Sequence, residues 1–428
     1  MNYLNRIADD ELEFRLECSG AVLIQGPKWC GKTTTAAQQA KSIIKLQDTD
    51  KNEGYKQTSL VKPSLLLKGD NPRLIDEWQE IPVLWDTVRN SVDEKNETGL
   101  YILTGSNSID KDKIMHSGTG RISRMRMDTM SLYETGESNG TVSLMELFKN
   151  PTADIEAKSE LEVEQLVFAA CRGGWPAQIS RKSDRAKLQI ARDYVTSVCE
   201  IDISTVDKVK RNPILAEQIL KSYARNISTL TKTSNILKDV VSVSENISQD
   251  TLDSYINALE KLYVIQDIEA WCPSIRSATA IRSGKKRGFC DPSIATAALG
   301  LSPDYYLTDF QSFGFIFESL CMRDLRVYSS KNEGKLSYYH DRYNLEADCV
   351  LHLKDGRYAL LEFKLGSSEI DEGAKHLCEI ERLIKEYNQK EKQMPLRLPD
   401  LKIVITGTQY GYRREDGVFV IPIGCLKD

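Results

Sequence analysis

A glycine-containing segment directly follows a short apolar run near the start of the chain, and it ends in a lysine and three threonines. The run AVLIQ (21–25) is typical of a strand buried on both faces of a parallel sheet, and it leads into GPKWCGKTTTA (26–36). This stretch satisfies G-x-x-x-x-G-K-[ST], in which glycines let backbone N–H groups curl around phosphate oxygens at a helix start. The pattern predicts a site for a nucleoside triphosphate.

Each position of this loop has an expected role. Lys32 is expected to reach the β- and γ-phosphates, and the Thr33 hydroxyl to ligate Mg²⁺. The residues expected to contact the nucleotide are Gly26, Pro27, Lys28, Trp29, Cys30, Gly31, Lys32, Thr33 and Thr34. The alternative is a capped helix that matches the pattern by chance, and the predicted strand before the loop argues against it. A small buried thiol is favoured over redox control for Cys30.

Two acids end the next apolar stretch, in RLIDEWQEIP (73–82). A carboxylate at the carboxyl end of a buried strand is costly unless it serves a cation or a hydrogen bond. We predict that Asp76 holds Mg²⁺ through water and that Glu77 orients the attacking water. The alternative is that both acids only open the loop before a helix at 82–90.

A third predicted strand, GLYILTGSNS (99–108), ends in hydroxyl and amide side chains. Thr104, Ser106 and Asn107 are expected to lie beside the γ-phosphate as sensors, the alternative being an ordinary turn. The segment GTGRISRMRM (118–127) then supplies Arg121, Arg124 and Arg126. We expect one of them to act as an arginine finger and place Arg121 in the site. Spacing leaves open which arginine acts, and whether it acts in its own chain or in a neighbour's.

A second group of chemically active residues lies in NLEADCVLHLKDGRYALLEFKLGSS (344–368). The turn at 354–356 predicts a hairpin with a three-residue loop and a left-handed glycine, which pairs Arg357 with Leu353. Counting back along the hairpin, Asp348 then lies opposite Glu362, with Lys364 on the same face. A two-residue loop would put the carboxylates on opposite faces. The alternative for E-x-K is a salt-bridging pair on an exposed strand.

Two facing carboxylates and a lysine match the D-(x)n-E-x-K core of restriction-endonuclease-like nucleases. Asp348, Glu362 and a backbone carbonyl such as that of Phe363 offer hard oxygen ligands for Mg²⁺. Lys364 can hold and activate the attacking water near a scissile phosphate. Lys375, on the helix that follows, is a weaker candidate for phosphate contact.

The chain resembles the prokaryotic AAA-type ATPases that carry an uncharacterised nuclease-like C-terminal domain. The resemblance covers nearly the whole chain and rests on AVLIQGPKWCGKTTTA, RLIDEWQEIPVLWD, YILTGSNS, GTGRISRMRMDTMSLYETG and GGWP (173–176). It implies ATP as the nucleotide, an added strand between the two Walker strands, and Glu318 as a further metal ligand. The family's E-V-D-F and E-V-K are E-A-D-C and E-F-K here, and the acids and the lysine remain.

The pattern between these two groups is mainly helical. Helix, turn, helix and the basic segment IRSGKKRGFCD (281–291) suggest a winged helix with 250–262 as its second helix. The exposed face of the helix 250–262 is mixed in charge, so the sequence favours neither contact with protein nor contact with DNA. The candidates for phosphate contact are Arg282, Lys285, Lys286 and Arg287, although a solvated charge run is favoured over phosphate contact.

The predicted fold class is α/β throughout the 428 residues. The predicted domains are an AAA-type P-loop ATPase (1–150), a helical lid (151–210), a winged helix (211–291) and a restriction-endonuclease-like domain (292–428). No apolar run is long enough to span a membrane, the N-terminus lacks a secretory signal, and ten scattered cysteines favour a reducing, cytoplasmic setting. The net charge of −5 argues against a broad basic face for duplex DNA.

The predicted function is Mg²⁺-dependent ATP hydrolysis that governs a nuclease-like domain engaging nucleic acid, with DNA as the candidate partner. One alternative is an ATP-dependent switch or scaffold whose nuclease-like domain only binds DNA or a protein. Another is a module that holds ATP without hydrolysing it. The oligomeric state is open, since a finger acting in a neighbouring chain would require a ring or dimer.

Overall fold

The computed structural model describes residues 3–105, 115–243, 247–273, 283–390 and 393–428. The chain divides into two compact units, which we call the N-terminal unit (2–129 with 261–263) and the C-terminal unit (130–260 with 264–428). The first boundary therefore falls before the expected position at residue 150. The regions predicted as lid, winged helix and nuclease-like domain lie together in the C-terminal unit.

The N-terminal unit is built on a parallel sheet of five strands in the order β2-β3-β4-β1-β5. The strands are β1 Ala21–Gln25, β2 Ser42–Lys45, β3 Arg73–Asp76, β4 Tyr101–Gly105 and β5 Ile122–Arg126. β4 lies between β1 and β3, which is the added strand that the resemblance implied. The α/β class predicted for this part of the chain is thus confirmed.

Apolar side chains on both faces of this sheet explain why its strands are buried. Along β1, Val22 and Ile24 belong to one core cluster, and Ala21 and Leu23 to another, because successive side chains point to opposite faces. The helices of the unit that accompany the sheet are Ile7–Cys18, Lys32–Gln39, Asn52–Val61 and Val83–Lys95. The two cores hold the carboxyl ends of β1, β3 and β4 side by side.

The C-terminal unit contains a mixed seven-stranded sheet in the order β7-β12-β13-β11-β10-β9-β8. Its strands are β7 Glu156–Lys158, β8 Lys335–His340, β9 Glu346–His352, β10 Tyr358–Lys364, β11 Leu401–Thr406, β12 Tyr410–Arg413 and β13 Phe419–Pro422. A small parallel pair joins β6 Val142–Ser143 to β14 Leu426–Lys427. β7 lies in the region predicted as a helical lid, yet it pairs with β12 and extends the C-terminal sheet.

Most of the remaining chain is helical, as its sequence pattern predicted. The helices are Leu132–Thr135, Leu144–Lys149, Val163–Arg172, Asp184–Ser197, Ile203–Thr205, Pro213–Arg225, Thr233–Val241, Gln249–Lys261, Pro292–Leu299, Pro303–Thr308, Phe310–Tyr328 and Ile370–Lys390. After the helix Gln249–Lys261, antiparallel bridges join Ile265 to Phe289 and Ile268 to Lys286. The winged-helix assignment of this region stays a prediction.

The helix Ile370–Lys390 connects β10 to β11 and covers the central strands. Its buried residues Ile370, Ala374, Leu377, Ile380 and Ile384 recur every three or four positions and share a core with strand residues such as Val350 and Leu360. The sheet is therefore supported directly beneath the predicted carboxylate pair.

A buried ionic network ties separate segments of the C-terminal unit together. Arg323 pairs with Asp324 at 2.6 Å and with Asp291 at 3.2 Å, and all three side chains are almost fully buried. Asp291 accepts a hydrogen bond from the Gly174 amide at 2.9 Å, and Asp324 accepts one from the Leu132 amide at 3.1 Å. A Cβ on Gly174 would lie 2.0 Å from the Met130 carbonyl oxygen, so only glycine fits there. This explains the second glycine of GGWP.

Two further features concern helix hydrophobicity and the cysteines. No helix in the described ranges is both long enough and apolar enough to cross a bilayer. The ten cysteines are free thiols.

Candidate functional site

The turn between β1 and the helix Lys32–Gln39 is held in a shape that surrounds the Lys32 ammonium. Gly31 has a φ of 103°, in the left-handed region that favours glycine, and Trp29 has a φ of 63°. The Lys32 side chain is 5% exposed and donates to the carbonyl oxygens of Gly26 at 3.0 Å and of Pro27 at 2.8 Å. The ammonium thus lies inside the turn that the sequence predicted for phosphate.

The turn is fastened from outside by a residue that the sequence analysis missed. Arg6 donates to the carbonyl oxygens of Cys30 at 2.9 Å and of Asp128 at 3.0 Å. The Cys30 thiol is buried and lies 3.6 Å from the Met127 carbonyl oxygen, which agrees with a packing role. Arg6 precedes a helix with no distinctive motif, so its sequence context gave no signal.

Thr33, Asp76 and Thr104 come from three different elements and meet at the carboxyl edge of the sheet. The hydroxyls of Thr33 and Thr104 both donate to Asp76 Oδ1, at 2.6 and 2.7 Å. Since carboxylate and hydroxyl oxygens are hard ligands, this cluster fits Mg²⁺ bound beside a phosphate. The predicted sensor Thr104 contacts the predicted metal ligand directly.

Glu77 follows at the same edge, in a left-handed conformation with a φ of 55°. Its amide donates to Thr104 Oγ1 at 3.2 Å, and its Oε2 accepts a hydrogen bond from the Gln79 side chain. A non-glycine residue with positive φ is uncommon and often marks a functional site. Gln79, which sequence reasoning did not single out, positions the Glu77 carboxylate.

Two other residues predicted to contact the nucleotide are Thr34 and Ser106. Thr34 is exposed in the first turn of the helix that follows the loop. Ser106, together with the second proposed sensor Asn107, lies outside the described residues.

The structure does not bring Arg121 to the nucleotide edge. Its carbonyl oxygen accepts from the Ala21 amide at the start of β1, and its guanidinium pairs with Asp93 at 2.6 Å. This places Arg121 at the opposite edge of the sheet, roughly 13 Å along the strand from the loop. Arg126 instead pairs in register with Gln25, next to the loop, because β1 and β5 run parallel. Assigning Arg121 to the site of its own chain is therefore corrected, and Arg126 is the one of the three arginines whose strand position lies next to the loop.

In the C-terminal unit, the predicted hairpin register is confirmed. Leu353 pairs with Arg357 as predicted, since the Leu353 amide donates to the Arg357 carbonyl oxygen at 2.8 Å, and Gly356 has a φ of 86°. The ladder continues through Leu361 opposite Cys349, so that Glu362 and Asp348 face each other at the next position. The two carboxylates therefore share one face of the sheet with Lys364.

Glu362 is 1% exposed, and only part of its carboxylate has a partner. Its Oε2 lies 3.2 Å from the Lys364 ammonium, whereas its Oε1 is buried without a hydrogen bond. Burial and the negative charge of Asp348 raise the pKa of Glu362 to about 9. A buried carboxylate oxygen without a partner is costly and marks a position where a cation would be stabilised.

Asp348 and His376 complete the surroundings of Glu362. Asp348 Oδ2 accepts a hydrogen bond from the Phe363 amide at 2.9 Å, which fixes the carboxylate against the neighbouring strand. His376 Nδ1, from the helix Ile370–Lys390, lies 3.6 Å from Glu362 Oε1. Sequence reasoning named the adjacent Lys375, which is exposed, and missed His376. Helical spacing from the buried residues of that helix would have placed His376 nearer the sheet.

Glu318 is linked to this carboxylate cluster by Lys286, a residue that the sequence analysis named as a candidate for phosphate contact. Lys286 Nζ lies 2.7 Å from Glu318 Oε1 and 3.6 Å from Asp348 Oδ1. Burial raises the pKa of Glu318 to about 8, against the opposing charge of Lys286. Burial alone would lower the pKa of Lys286, but the charges of Glu318 and Asp348 outweigh it and raise that pKa.

Lys286 and Arg287 are buried and paired with acids, which agrees neither with a solvated charge run nor with phosphate contact at these two positions. Lys286 is 6% exposed and directed at the two acids, and Arg287 is buried against Asp267 at 2.6 Å. Lys285 is exposed, with Glu260 at 3.8 Å, and Arg282 lies outside the described residues. Within the described ranges, no three His, Cys, Asp or Glu side chains converge on one metal position.

Three family models match successive parts of the chain. Residues 19–136 match an AAA domain, residues 163–305 a domain of unknown function (DUF8612), and residues 313–426 another domain of unknown function (DUF4143). No curated protein matches in sequence. With the five-stranded parallel sheet, the first match shows that the N-terminal unit is a P-loop domain of the AAA ATPase type.

Two solved structures that resemble the chain are both distant from it in sequence. The Walker-type ATPase PABY2304 of Pyrococcus abyssi is 13% identical with a TM-score of 0.42, over 69% of this chain and 96% of that one. The structure of Drosophila ORC bound to DNA is 13% identical with a TM-score of 0.20, over 68% of this chain and 84% of that one.

Proposed function

We propose that the AAA-type N-terminal unit binds ATP with Mg²⁺ and hydrolyses it. The observation that carries this proposal is the meeting of Thr33, Asp76 and Thr104 within 2.7 Å hydrogen bonds, next to the turn that surrounds Lys32. Hard oxygen donors beside an amide-lined turn are the combination that a magnesium-bound triphosphate requires.

Each residue has a task in this reaction. When ATP binds, Lys32 exchanges its two carbonyl contacts for phosphate oxygens and neutralises their charge. Thr33 and Asp76 would hold Mg²⁺, which would offset charge on the phosphates. Glu77, held by Gln79, orients water for attack on the γ-phosphorus, and Thr104 links this water-orienting residue to the metal ligand. Arg126 is the candidate arginine at this edge of the same chain.

Replacing Lys32 with alanine tests nucleotide binding. We expect the variant to bind ATP at least about 10-fold more weakly, since it loses a charge-assisted contact with two phosphates. Calorimetric titration with Mg²⁺-ATP measures this, and Lys28→Ala, on the same loop but half-buried, should have a smaller effect. Equal affinity of Lys32→Ala and wild type would contradict the proposed site.

We further propose that the C-terminal unit carries a nuclease-like site that engages nucleic acid under the control of ATP. Support comes from the facing carboxylates Asp348 and Glu362, from Lys364 beside them, and from the unpartnered oxygen of Glu362. Asp348 and Glu362 would supply oxygen ligands for Mg²⁺ or Mn²⁺, and the ion would stabilise charge on a scissile phosphate. Glu318 would join them only after a rearrangement, since these acids do not converge on one position in the described structure. Lys364 would position the attacking water.

An assay on linear, nicked and branched DNA with Mg²⁺ or Mn²⁺, with and without ATP, tests this second part. We expect metal-dependent nicking that falls at least about 100-fold in Lys364→Ala, because the group that holds the water is lost. Lys354→Ala, at the turn end of the same hairpin, is the control and should cut like wild type.

If ATP is hydrolysed but no DNA is cut by wild type under any condition, the alternative holds. The C-terminal unit would then bind DNA or a protein without cleaving, and the chain would act as an ATP-dependent switch or scaffold.

A further inference from the structure

Lys286 enters the carboxylate cluster from a segment distant in sequence. Its amide donates to the Ile268 carbonyl oxygen, and the Ile268 amide donates back to Lys286, both at 2.9 Å. This antiparallel bridge fixes the backbone of Lys286, and Tyr338 lies beneath the side chain with its ring centre 5.9 Å from the ammonium. The Tyr338 hydroxyl in turn donates to the Gly284 carbonyl oxygen. The ammonium is therefore held in place from both sides.

The position of this ammonium coincides with the acids that a metal would need. It lies 2.7 Å from Glu318 Oε1 and 3.6 Å from Asp348 Oδ1. A divalent ion bound by these oxygens would sit about 2.0–2.6 Å from them, in the space that the ammonium fills. An ammonium and a divalent cation cannot occupy that space together.

The charge balance points the same way. Burying Glu318 and Asp348 without a cation would be costly, and a single lysine supplies the compensating charge to both. Glu362 Oε1, which Lys286 does not reach, keeps no hydrogen-bond partner. A lysine carries one positive charge, so it compensates only part of the negative charge of these carboxylates. A divalent cation would supply two positive charges.

We propose that Lys286 is a built-in counter-ion that closes the carboxylate site to divalent metal. In this view, the ammonium of Lys286 and a divalent cation are alternative occupants of Glu318 and Asp348. The inference rests on the nuclease-like function proposed for the C-terminal unit and adds how that site is regulated. Metal binds when the segment that carries Lys286 moves away from the two acids. The structure, with Lys286 beside Glu318 and Asp348, therefore represents the metal-free, inhibited state of the site.

Binding of Mn²⁺ to nucleotide-free protein tests this exclusion. Lys286→Met keeps the length and apolar stem of the side chain and removes the charge. We expect Lys286→Met to bind one more Mn²⁺ per chain than wild type does at the same Mn²⁺ concentration. The affinity of the carboxylate site for Mn²⁺ should be at least about 10-fold higher than in wild type, because the competing charge is gone. Electron paramagnetic resonance of free Mn²⁺ gives the number of ions bound. Lys285→Met, at the adjacent exposed position, is the matched control and should behave like wild type.

A second substitution locates the new ion and separates the two proposals. Adding Asp348→Asn to Lys286→Met should abolish the extra site. If wild type and Lys286→Met bind Mn²⁺ equally and both depend on Asp348, the counter-ion role is overturned while the metal site survives. If no variant binds Mn²⁺ beyond the Asp348→Asn background, both the counter-ion role and the metal site are overturned.

Loss of Lys286 leaves two largely buried acids without a cation, so a variant that fails to fold alone is refolded in the presence of Mn²⁺. In that case the thermal unfolding midpoint should rise with Mn²⁺ concentration in Lys286→Met and stay constant in wild type. A Lys286→Met protein that stays unfolded at every Mn²⁺ concentration would overturn the proposal, because metal would then be unable to replace the ammonium.

Discussion

Glu77→Gln is expected to lower the rate of ATP hydrolysis by roughly 10²–10⁴-fold while ATP still binds. The substitution keeps the shape of the side chain and an oxygen that can accept the hydrogen bond from Gln79. It removes the negative charge that orients and polarises the attacking water. Phosphate release in single-turnover conditions measures the loss, and calorimetry checks that binding is retained.

Glu80→Gln is the control for this experiment. Glu80 is an exposed acid in the same short helical turn, and its carboxylate accepts from Gln47 at 3.0 Å. Its substitution should leave turnover within about twofold of wild type, as surface substitutions usually do. Equal and negligible hydrolysis in wild type and Glu77→Gln would favour the module that holds ATP without turning it over.

The arrangement of the candidate nucleotide site could be predicted from sequence because the residues that form it follow local patterns. Lys32 and Thr33 lie within one short sequence motif, and Asp76 ends an apolar stretch that predicts a buried strand. Parallel strands bring their carboxyl ends to one edge, so local patterns also fixed which side chains meet. The exception was Arg121, since only the register of β5 against β1 shows which arginine lies near the loop.

The carboxylate hairpin was predictable for a different reason. Turn length determines register, and register determines which side chains share a face. Assuming a three-residue loop with Gly356 in the left-handed region placed Asp348 opposite Glu362, and the structure has that loop.

Lys286 shows what sequence could not supply. In the letters SGKKRG it stands in a basic run, and such runs are usually solvated. Its partners Glu318 and Asp348 lie far along the chain, and no periodic pattern joins them to it. Burial of one lysine in a run, while Lys285 stays exposed, depends on tertiary packing alone.

Arg323→Met is expected to destabilise the C-terminal unit by about 3–5 kcal/mol, because it leaves Asp291 and Asp324 buried without their shared cation. Both acids also hold backbone amides, at Gly174 and Leu132, so the loss reaches two further segments. Urea unfolding followed by tryptophan fluorescence measures the change, since the buried Trp175 lies next to Gly174.

The comparison for this prediction is an exposed ion pair on a helix of the same unit. Arg382 pairs with Glu379 at 2.6 Å, yet its side chain is 52% exposed, so Arg382→Met should lower the free energy of unfolding far less than Arg323→Met does. Losses of equal size in the two variants would show that burial does not determine the strength of the Arg323 network.

The pH dependence gives an independent check on the cause. Burial raises the pKa of Asp324 to about 6 even with Arg323 beside it, and removing the arginine should raise that pKa further. A carboxyl whose folded pKa lies above its unfolded pKa stabilises the fold in its protonated form, and that stability is lost as pH rises through the folded pKa. The deficit of Arg323→Met relative to wild type should therefore be smaller at pH 5 than at pH 8. A deficit that stays constant over this range would mean that lost packing, rather than unpaired charge, accounts for the destabilisation.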